Sequence, residues 1–193
     1  MECIGVQPST TILRKSYPVM STDAATRPAT REDLFDRLAE LGIRVQTLDH
    51  PPVFTVVESA SLEREIPGGH TKNLFLKDAK GRLYLVIAHA ETEVDLKGLP
   101  KRIGSARLSF GNADLMMEVL GVSPGSVTAF ALINDREQRV RVIIDQALLQ
   151  FDTINCHPLE NTATTSIARE DLLRFIRACG HNPDITELTP IAG

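Results

Sequence analysis

The sequence predicts a single mixed α/β domain in which a mostly antiparallel, strongly twisted, barrel-like sheet is surrounded by helices. Three observations carry that prediction. The chain has 193 residues, of which 42% are hydrophobic and 24% charged, enough to bury one core and too few for two comfortable domains. About seven short β-rich runs, several joined by hairpin signals, are interrupted by four or five helical patterns. Strands and helices do not alternate regularly, so a βαβ array is not expected.

The elements follow in order. Residues 1–29 contain Pro8, Pro18, Pro28 and many Ser, Thr and Ala residues; they read as a flexible N-terminal tail, or as an upstream start ahead of Met20. The domain itself is placed at 30–193. Thr30 stands at an N-cap position with Asp33 three residues on, and Leu34, Leu38 and Leu41 recur at helical spacing before Gly42, which predicts a helix over 31–41. A β-rich run over 43–48 is broken by His50, Pro51 and Pro52. Leu62 and Ile66, four apart, predict a short helix over 59–66 that Pro67, Gly68 and Gly69 end.

The glycine pair then feeds an apolar strand that opens with Lys72 and Asn73. Asp78, Ala79, Lys80 and Gly81 form a hairpin turn, and 82–88 return, which places Lys72 level with His89. Residues 91–103 read as a loop with a short helix, 108–110 as a small strand, and 112–120 as a helix capped by Asn112 and stopped by Gly121. The loop Gly121, Val122, Ser123, Pro124, Gly125, Ser126, Val127 leads into an apolar strand predicted over 128–133. Further strands are predicted over 140–144, 151–156 and 162–168, with a helical turn at 146–149 and a helix over 169–179 that Gly180 ends. Ile185 and Leu188 mark an edge strand.

Composition narrows the function. No run of about 18 apolar residues exists, so a spanning helix is excluded and no membrane partner is expected. Cys3, Cys156 and Cys179 cannot all pair within the chain and have no CxxC spacing, which points to the reducing cytoplasm. A net charge of -4 argues against indiscriminate coating of nucleic acid. A local basic patch at Lys97, Lys101, Arg102 and Arg107 is equally well read as a solvated loop.

Several catalytic devices are missing. The chain has no GxxxxGK[ST] phosphate loop and no GxSxG elbow. His89-Ala90-Glu91 lacks the PCxxC partner of a zinc deaminase, and the five histidines never fall at zinc-ligand spacings, so no metal and no cofactor are expected. Cys156 and His157 are neighbours in a strand and would point to opposite faces. Three polar clusters at strand ends remain: Lys72 with Asn73, the 121–127 loop, and His157 with Asn161, Thr162, Thr164 and Thr165. Taken singly, turn chemistry explains each of them, and a solvated strand-end lysine explains Lys72.

Together, in this order, the three clusters resemble the hallmarks of the YbaK-type aminoacyl-tRNA editing domains, relatives of an insertion domain of bacterial prolyl-tRNA synthetase. The resemblance spans residues 31–188 and is strongest to the free-standing, alanine-specific branch. It implies a mixed β-barrel with surrounding helices, and hydrolysis of a mischarged aminoacyl ester without metal, alanine on tRNA(Pro) being the expected substrate. It implies catalytic roles for Lys72, Gly121 and His157, and substrate contacts from Asn73, Ser123, Pro124, Gly125, Ser126, Asn161 and Thr162. Lys72 would hold the phosphate of the terminal nucleotide, and the 121–125 loop would line the aminoacyl pocket. The implied partners are the 3' acceptor end of mischarged tRNA(Pro) and, transiently, prolyl-tRNA synthetase; DNA is not among them. Other branches clear cysteine or other small residues.

A mechanism without a protein nucleophile follows from this resemblance. The ester is already activated, so a positioned water helped by the ribose 2'-hydroxyl can attack it. Amides of the 121–126 loop would face the developing oxyanion. A steric wall would exclude the proline ring, as a second sieve does. The alternative is a non-catalytic module on the same fold that binds a tRNA end or a nucleotide.

Overall fold

A computed structural model describes residues 27–51 and 66–190. The helix expected over 59–66 and most of the expected tail lie outside these described residues. Helix α1, Arg31–Glu40, begins with a complete capping box: Thr30 accepts from the Asp33 amide, and the Asp33 carboxylate accepts from the Thr30 amide. Such a cap stabilises by about 1 kcal/mol. Leu34 and Leu38 bury one stripe of this helix, each worth about 1.5 to 3 kcal/mol on transfer from water. Arg27, Pro28 and Ala29, assigned to the tail by sequence, are held in the fold. Arg27 pairs with Asp33 at 2.6 Å, and the Ala29 amide donates to Asn134 Oδ1 at 2.7 Å.

The remaining elements are β1 (Val45–Asp49), β2 (Gly69–Asp78), β3 (Leu83–His89), α2 (Leu99–Ile103), β4 (Leu108–Phe110) and α3 (Ala113–Leu120), then β5 (Val140–Asp145), β6 (Thr153–Cys156), β7 (Ala163–Ala168), α4 (Arg169–Ala178) and β8 (Asp184–Thr186). The strands form one sheet in the order β1-β7-β6-β2-β3-β5-β8, with β4 also paired to β2. The pairs β1/β7, β6/β7, β2/β3 and β2/β4 are antiparallel, while β2/β6, β3/β5 and β5/β8 are parallel. This is the mixed, mostly antiparallel sheet flanked by helices that the sequence predicts.

β3, between β2 and β5, is buried on both faces. Leu83, Leu85 and Ile87 join the larger core with Phe75, Leu34, Leu38, Phe130 and the apolar faces of α3 and α4. Tyr84, Val86 and Ala88 turn to a smaller core with Leu76, Leu99, Ile103, Ile143 and Leu188. A strand covered on both sides has no polar face to alternate with, hence its unbroken apolar run.

Two expectations are corrected. Residues 128–133 are not a strand: Ala129–Ile133 form a 3-10 helix whose N-cap Thr128 accepts from the Phe130 amide. Ala129, Phe130, Ala131 and Leu132 are at most 1% exposed, and an apolar run buried all round carries no period that separates strand from helix. The hairpin register also differs by one residue. Thr71 lies opposite His89, and Lys72 lies opposite Ala88.

That register is set at the turn by buried Asp78. Its carboxylate accepts from the amides of Lys80 and Arg82, from Tyr84 Oη and from the Ala106 amide. Burial alone would raise its pKa, but the donors from Arg82, Ala106, Lys80 and Tyr84 outweigh burial and hold it below the usual value. A carboxyl whose folded pKa is depressed contributes stability above its unfolded pKa and loses it as pH falls through the folded value. Melting temperature followed down from pH 6 is therefore expected to fall below about pH 4, and to fall less over that window in Asp78→Asn. An equal acid-induced loss in the variant would contradict this assignment.

Candidate functional site

The site is built where β2 changes neighbours. On one edge, β2 pairs with β6 through Gly69 and His70, and with β4 through Leu76, Lys77 and Asp78. Between them, Thr71, Lys72, Asn73, Leu74 and Phe75 have only β3 as a strand partner. Both flanking strands run toward this gap. β6 is parallel to β2 and leads to His157; β4 is antiparallel and leads through Gly111, whose amide donates to Phe75 O at 2.9 Å, into α3. A strand edge left unpaired in this way presents main-chain groups that a ligand can meet.

The glycine pair makes the junction possible. Gly68 has φ +121°, and a Cβ there would lie 2.7 Å from Thr153 O. A Cβ on Gly69 would lie 2.7 Å from the Phe151 ring, which itself stacks on His89 with centroids 4.9 Å apart. Only hydrogen at both positions lets β2 enter this close to β6.

Lys72 is half-buried, and its Nζ donates to Ala90 O at 2.9 Å. That carbonyl is fixed in turn, because the Ala90 amide donates to His70 O and the His89 amide to Asp145 Oδ2. No carboxylate among the described residues pairs with Lys72. An ammonium has three donors, so two remain for an anionic ligand. Strand alternation places Asn73 on the opposite face from Lys72. Its Oδ1 is buried without a partner among the described residues, and its Nδ2 reaches Thr71 Oγ1 only at 3.5 Å.

The structure gathers histidines that the spacing analysis treated separately. His70 Nε2 donates to Ile66 O at 2.8 Å. His50 Nδ1 faces Pro51 O at 2.9 Å and must carry the proton there, so in the neutral ring Nε2 accepts from Thr164 Oγ1 at 3.0 Å. The His157 ring has no hydrogen-bond partner among the described residues. Burial, followed by the charges of His50 and His70, pushes its pKa below the ordinary value. It is therefore a neutral imidazole at pH 7. Among the described residues, no group of three or more His, Cys, Asp or Glu side chains is arranged to hold a metal ion.

Asn155 links this face together. It is 2% exposed; Oδ1 accepts from Ser166 Oγ at 2.6 Å, Nδ2 donates to Pro67 O at 3.3 Å, and its carbonyl accepts from Thr71 Oγ1 at 2.8 Å. A cavity of about 620 Å³ beside it is lined by Gln46, Leu48, Pro67, Gly68, Thr164 and Ser166. Cys156 faces the other way, fully buried, with its thiol pushed up to about 12 by desolvation. It cannot serve as a nucleophile at neutral pH.

After His157 the chain turns sharply. Leu159 takes φ +70°, and its amide donates to His157 O at 3.0 Å. A positive φ at a branched residue is costly, and such strain gathers where geometry is demanded by function. Glu160 pairs with Arg31 at 3.0 Å, and Asn161 and Thr162 are half-buried beyond it.

The 121–126 loop lies at the far end of α3. Gly121 is its left-handed cap, with its amide donating to Met117 O, so that amide is not free to serve an oxyanion. Ser123, Pro124, Gly125 and Ser126 form a turn closed by Ser126 N to Ser123 O at 3.0 Å, with Gly125 at φ +91°, the pattern that a type II turn requires. The amides of Val122, Ser123 and Gly125 have no hydrogen bond among the described residues. Gly121 packs against Pro28, and Arg31 reaches Glu160. Three residues span at most about 11 Å, so this loop and the His157 turn approach the same end of α1.

Sequence reasoning named Lys72, His157 and the loop; the structure adds His50, His70, Asn155 and Ser166 as neighbours that the sequence did not group with them. No spacing along the chain signals those four; only the pairing of β2 with β6 and β7 with β1 collects them. If burial and histidine neighbours set His157, its ring titrates below about 6.5 by NMR, and His50→Ala moves the midpoint only part of the way back. Between the folded and unfolded values the unfolded chain binds more protons, so this residue's contribution to stability rises with pH there. A midpoint at or above the ordinary value would contradict the geometry.

Comparison with known proteins agrees with this construction. The family model for the aminoacyl-tRNA editing domain matches residues 50–175. The prolyl-tRNA editing protein ProX of Acetoanaerobium sticklandii is 36% identical over 159 residues, covering 82% of this chain and 97% of its own. Prolyl-tRNA synthetase associated domain-containing protein 1 of Danio rerio is 38% identical over 165 residues, covering 84% and 90%. A solved structure described as a candidate trans-editing enzyme for prolyl tRNA synthetase shares the fold with a TM-score of 0.65 at 18% identity, covering 83% of this chain and 97% of that one. Matched by the family model over residues 50–175 and by these relatives over more than four-fifths of its length, the chain belongs to the aminoacyl-tRNA editing domain family.

Proposed function

We propose that this protein is a trans-acting deacylase that hydrolyses the ester of a mischarged aminoacyl-tRNA, with alanine on tRNA(Pro) as its substrate. The carrying observation is Lys72, a half-buried cation held by Ala90 O without a carboxylate partner among the described residues, on the stretch of β2 toward which β6, the strand leading to His157, runs. The names of the relatives support the reading: one is a prolyl-tRNA editing protein, another is associated with prolyl-tRNA synthetase by name.

The chemistry suits residues that position and polarise. Lys72 offers two ammonium donors to a phosphate of the 3'-terminal nucleotide, fixing the ester at the gap. Water adds to the ester carbonyl, the tetrahedral oxyanion collapses, and the ribose oxygen leaves with a proton. A neutral His157 can accept a hydrogen bond from the attacking water or the ribose 2'-hydroxyl. Of the loop amides, Val122, Ser123 and Gly125 remain as donors for the oxyanion, while Asn73 Oδ1, buried and unpartnered among the described residues, suits the substrate ammonium. Exclusion of the bulkier prolyl group would provide the sieve. Transient association with prolyl-tRNA synthetase and a cytoplasmic location complete the proposal.

The test is loss of the aminoacyl group from alanyl-, cysteinyl-, seryl- and prolyl-tRNA(Pro). Alanyl-tRNA(Pro) is expected to be cleared fastest and prolyl-tRNA(Pro) spared. Lys72→Ala is expected to lower the rate on the preferred substrate roughly 100-fold, as loss of one preorganised electrostatic contact does elsewhere. Fastest clearance of the cysteinyl ester would reassign the substrate, and tRNA binding without any deacylation would replace the enzyme with a binding module.

A further inference from the structure

The far end of the β2–β3 hairpin carries a cluster of positive charge that the site at Lys72 does not use. Lys77, Lys80, Arg82 and Arg107 are all exposed, and none forms an ion pair among the described residues. Arg31, Arg102, Arg139, Arg141 and Arg169 each pair with an acid, including Arg102 of the basic run that the sequence singled out. Arg44, Lys97, Lys101 and Arg177 also have no ion pair among the described residues; what sets the hairpin group apart is that four such cations are carried by two segments tied together. A chain with net charge -4 has acids to spare, so leaving these four cations together unneutralised invites an external polyanion.

Buried Asp78 holds together the main chain that carries these cations. That carboxylate binds the amides of Lys80, Arg82 and Ala106, and the Ala79 amide donates to Arg107 O at 3.0 Å. Two segments that are distant in sequence, the hairpin turn and the chain entering β4, are thereby tied side by side. Lys77 lies opposite Ser109 in the β2/β4 register. Exposed cations without acid partners match the phosphates of a nucleic-acid backbone.

We propose that Lys77, Lys80, Arg82 and Arg107 form a second RNA contact that grips backbone phosphates of the duplex stem whose 3' end enters the gap at Lys72. Six residues of β2 separate Lys72 from Asp78, about 20 Å at 3.3 Å per residue. A single-stranded 3' end followed by the first base pairs of a stem spans that distance. The contact reads shape and charge and carries no base specificity. It deepens the proposed function and rests on that reading for the identity of the RNA.

The experiment measures binding of uncharged tRNA(Pro) as a function of salt, alongside hydrolysis of alanyl-tRNA(Pro) and of a minimal alanyl-adenosine ester. The variant combines Lys77→Gln, Lys80→Gln, Arg82→Gln and Arg107→Gln; a second carries only Lys80→Gln and Arg82→Gln. With each phosphate contact contributing about 0.7 to 0.9 to the slope of log K against log salt, the quadruple variant is expected to lose about 3 and the double variant about half of that. Its KM for alanyl-tRNA(Pro) is expected to rise at least about 10-fold, while cleavage of the minimal ester is unchanged. Wild-type salt slope and affinity in both folded variants would overturn the proposal, as would an equal loss on the minimal ester. If the wild-type protein cleaves neither ester, the deacylase reading fails, and the binding measurement still decides the second contact by itself.

Discussion

The structure depends on one close approach: the main chain at Gly68 and Gly69 pressed against Thr153 O and the Phe151 ring. It lets β2 begin as a partner of β6, and twist then carries the rest of β2 to β3 and β4. A sheet whose central strand changes neighbours leaves a stretch with one edge unpaired. Lys72 and Asn73 fall in that stretch, and the strands on either side lead to His157 and to α3. The site is thus a consequence of how the sheet is joined, with Asn155 and Asp145 fixing its two sides through hydrogen bonds to Pro67, Thr71, His89 and Thr92.

Two regions of β2 carry cations without acid partners, in different surroundings. Around Lys72, no carboxylate among the described residues competes for the ammonium, and Asn73 Oδ1 and the His157 ring keep unused hydrogen-bonding capacity. At the opposite end of the same strand, a carboxylate is buried under the cations and satisfied by main-chain donors, so it shapes the patch without neutralising it from the surface. Asp78 is therefore an organiser of positive charge. The resulting layout places a precise cationic contact at one end of β2 and a diffuse one at the other, which fits a ligand whose reacting end is small and whose body is a long polyanion.

Local chemistry was legible wherever a few adjacent residues decide the outcome. The Thr30–Asp33 capping box, the Asn112 cap and Gly121 stop of α3, the Asp78–Gly81 turn and the amphipathic stripe of α4 are set within one or two turns of chain, and the structure shows all of them. The run from Ala129 to Leu132 was misread as a strand because burial on every side erases periodicity. The hairpin slipped by one residue because an alternating pattern constrains the faces of a strand, while Asp78 sets the register through donors as distant as Ala106.

The sequence by itself determined the class of fold, the caps and turns, and the three polar clusters whose order resembles an editing domain. Each is written in neighbouring residues or in their succession. Tertiary structure alone decided that Lys72 and Asn73 fall on a stretch of β2 with one edge unpaired, and that His50 and His70 come close enough to act on the charge of His157. Those facts arise from pairing between strands about 85 to 115 residues apart in the chain. No local pattern encodes which strand will be the neighbour, because hydrogen bonding between strands is the same for every sequence and packing of the whole core selects the partner.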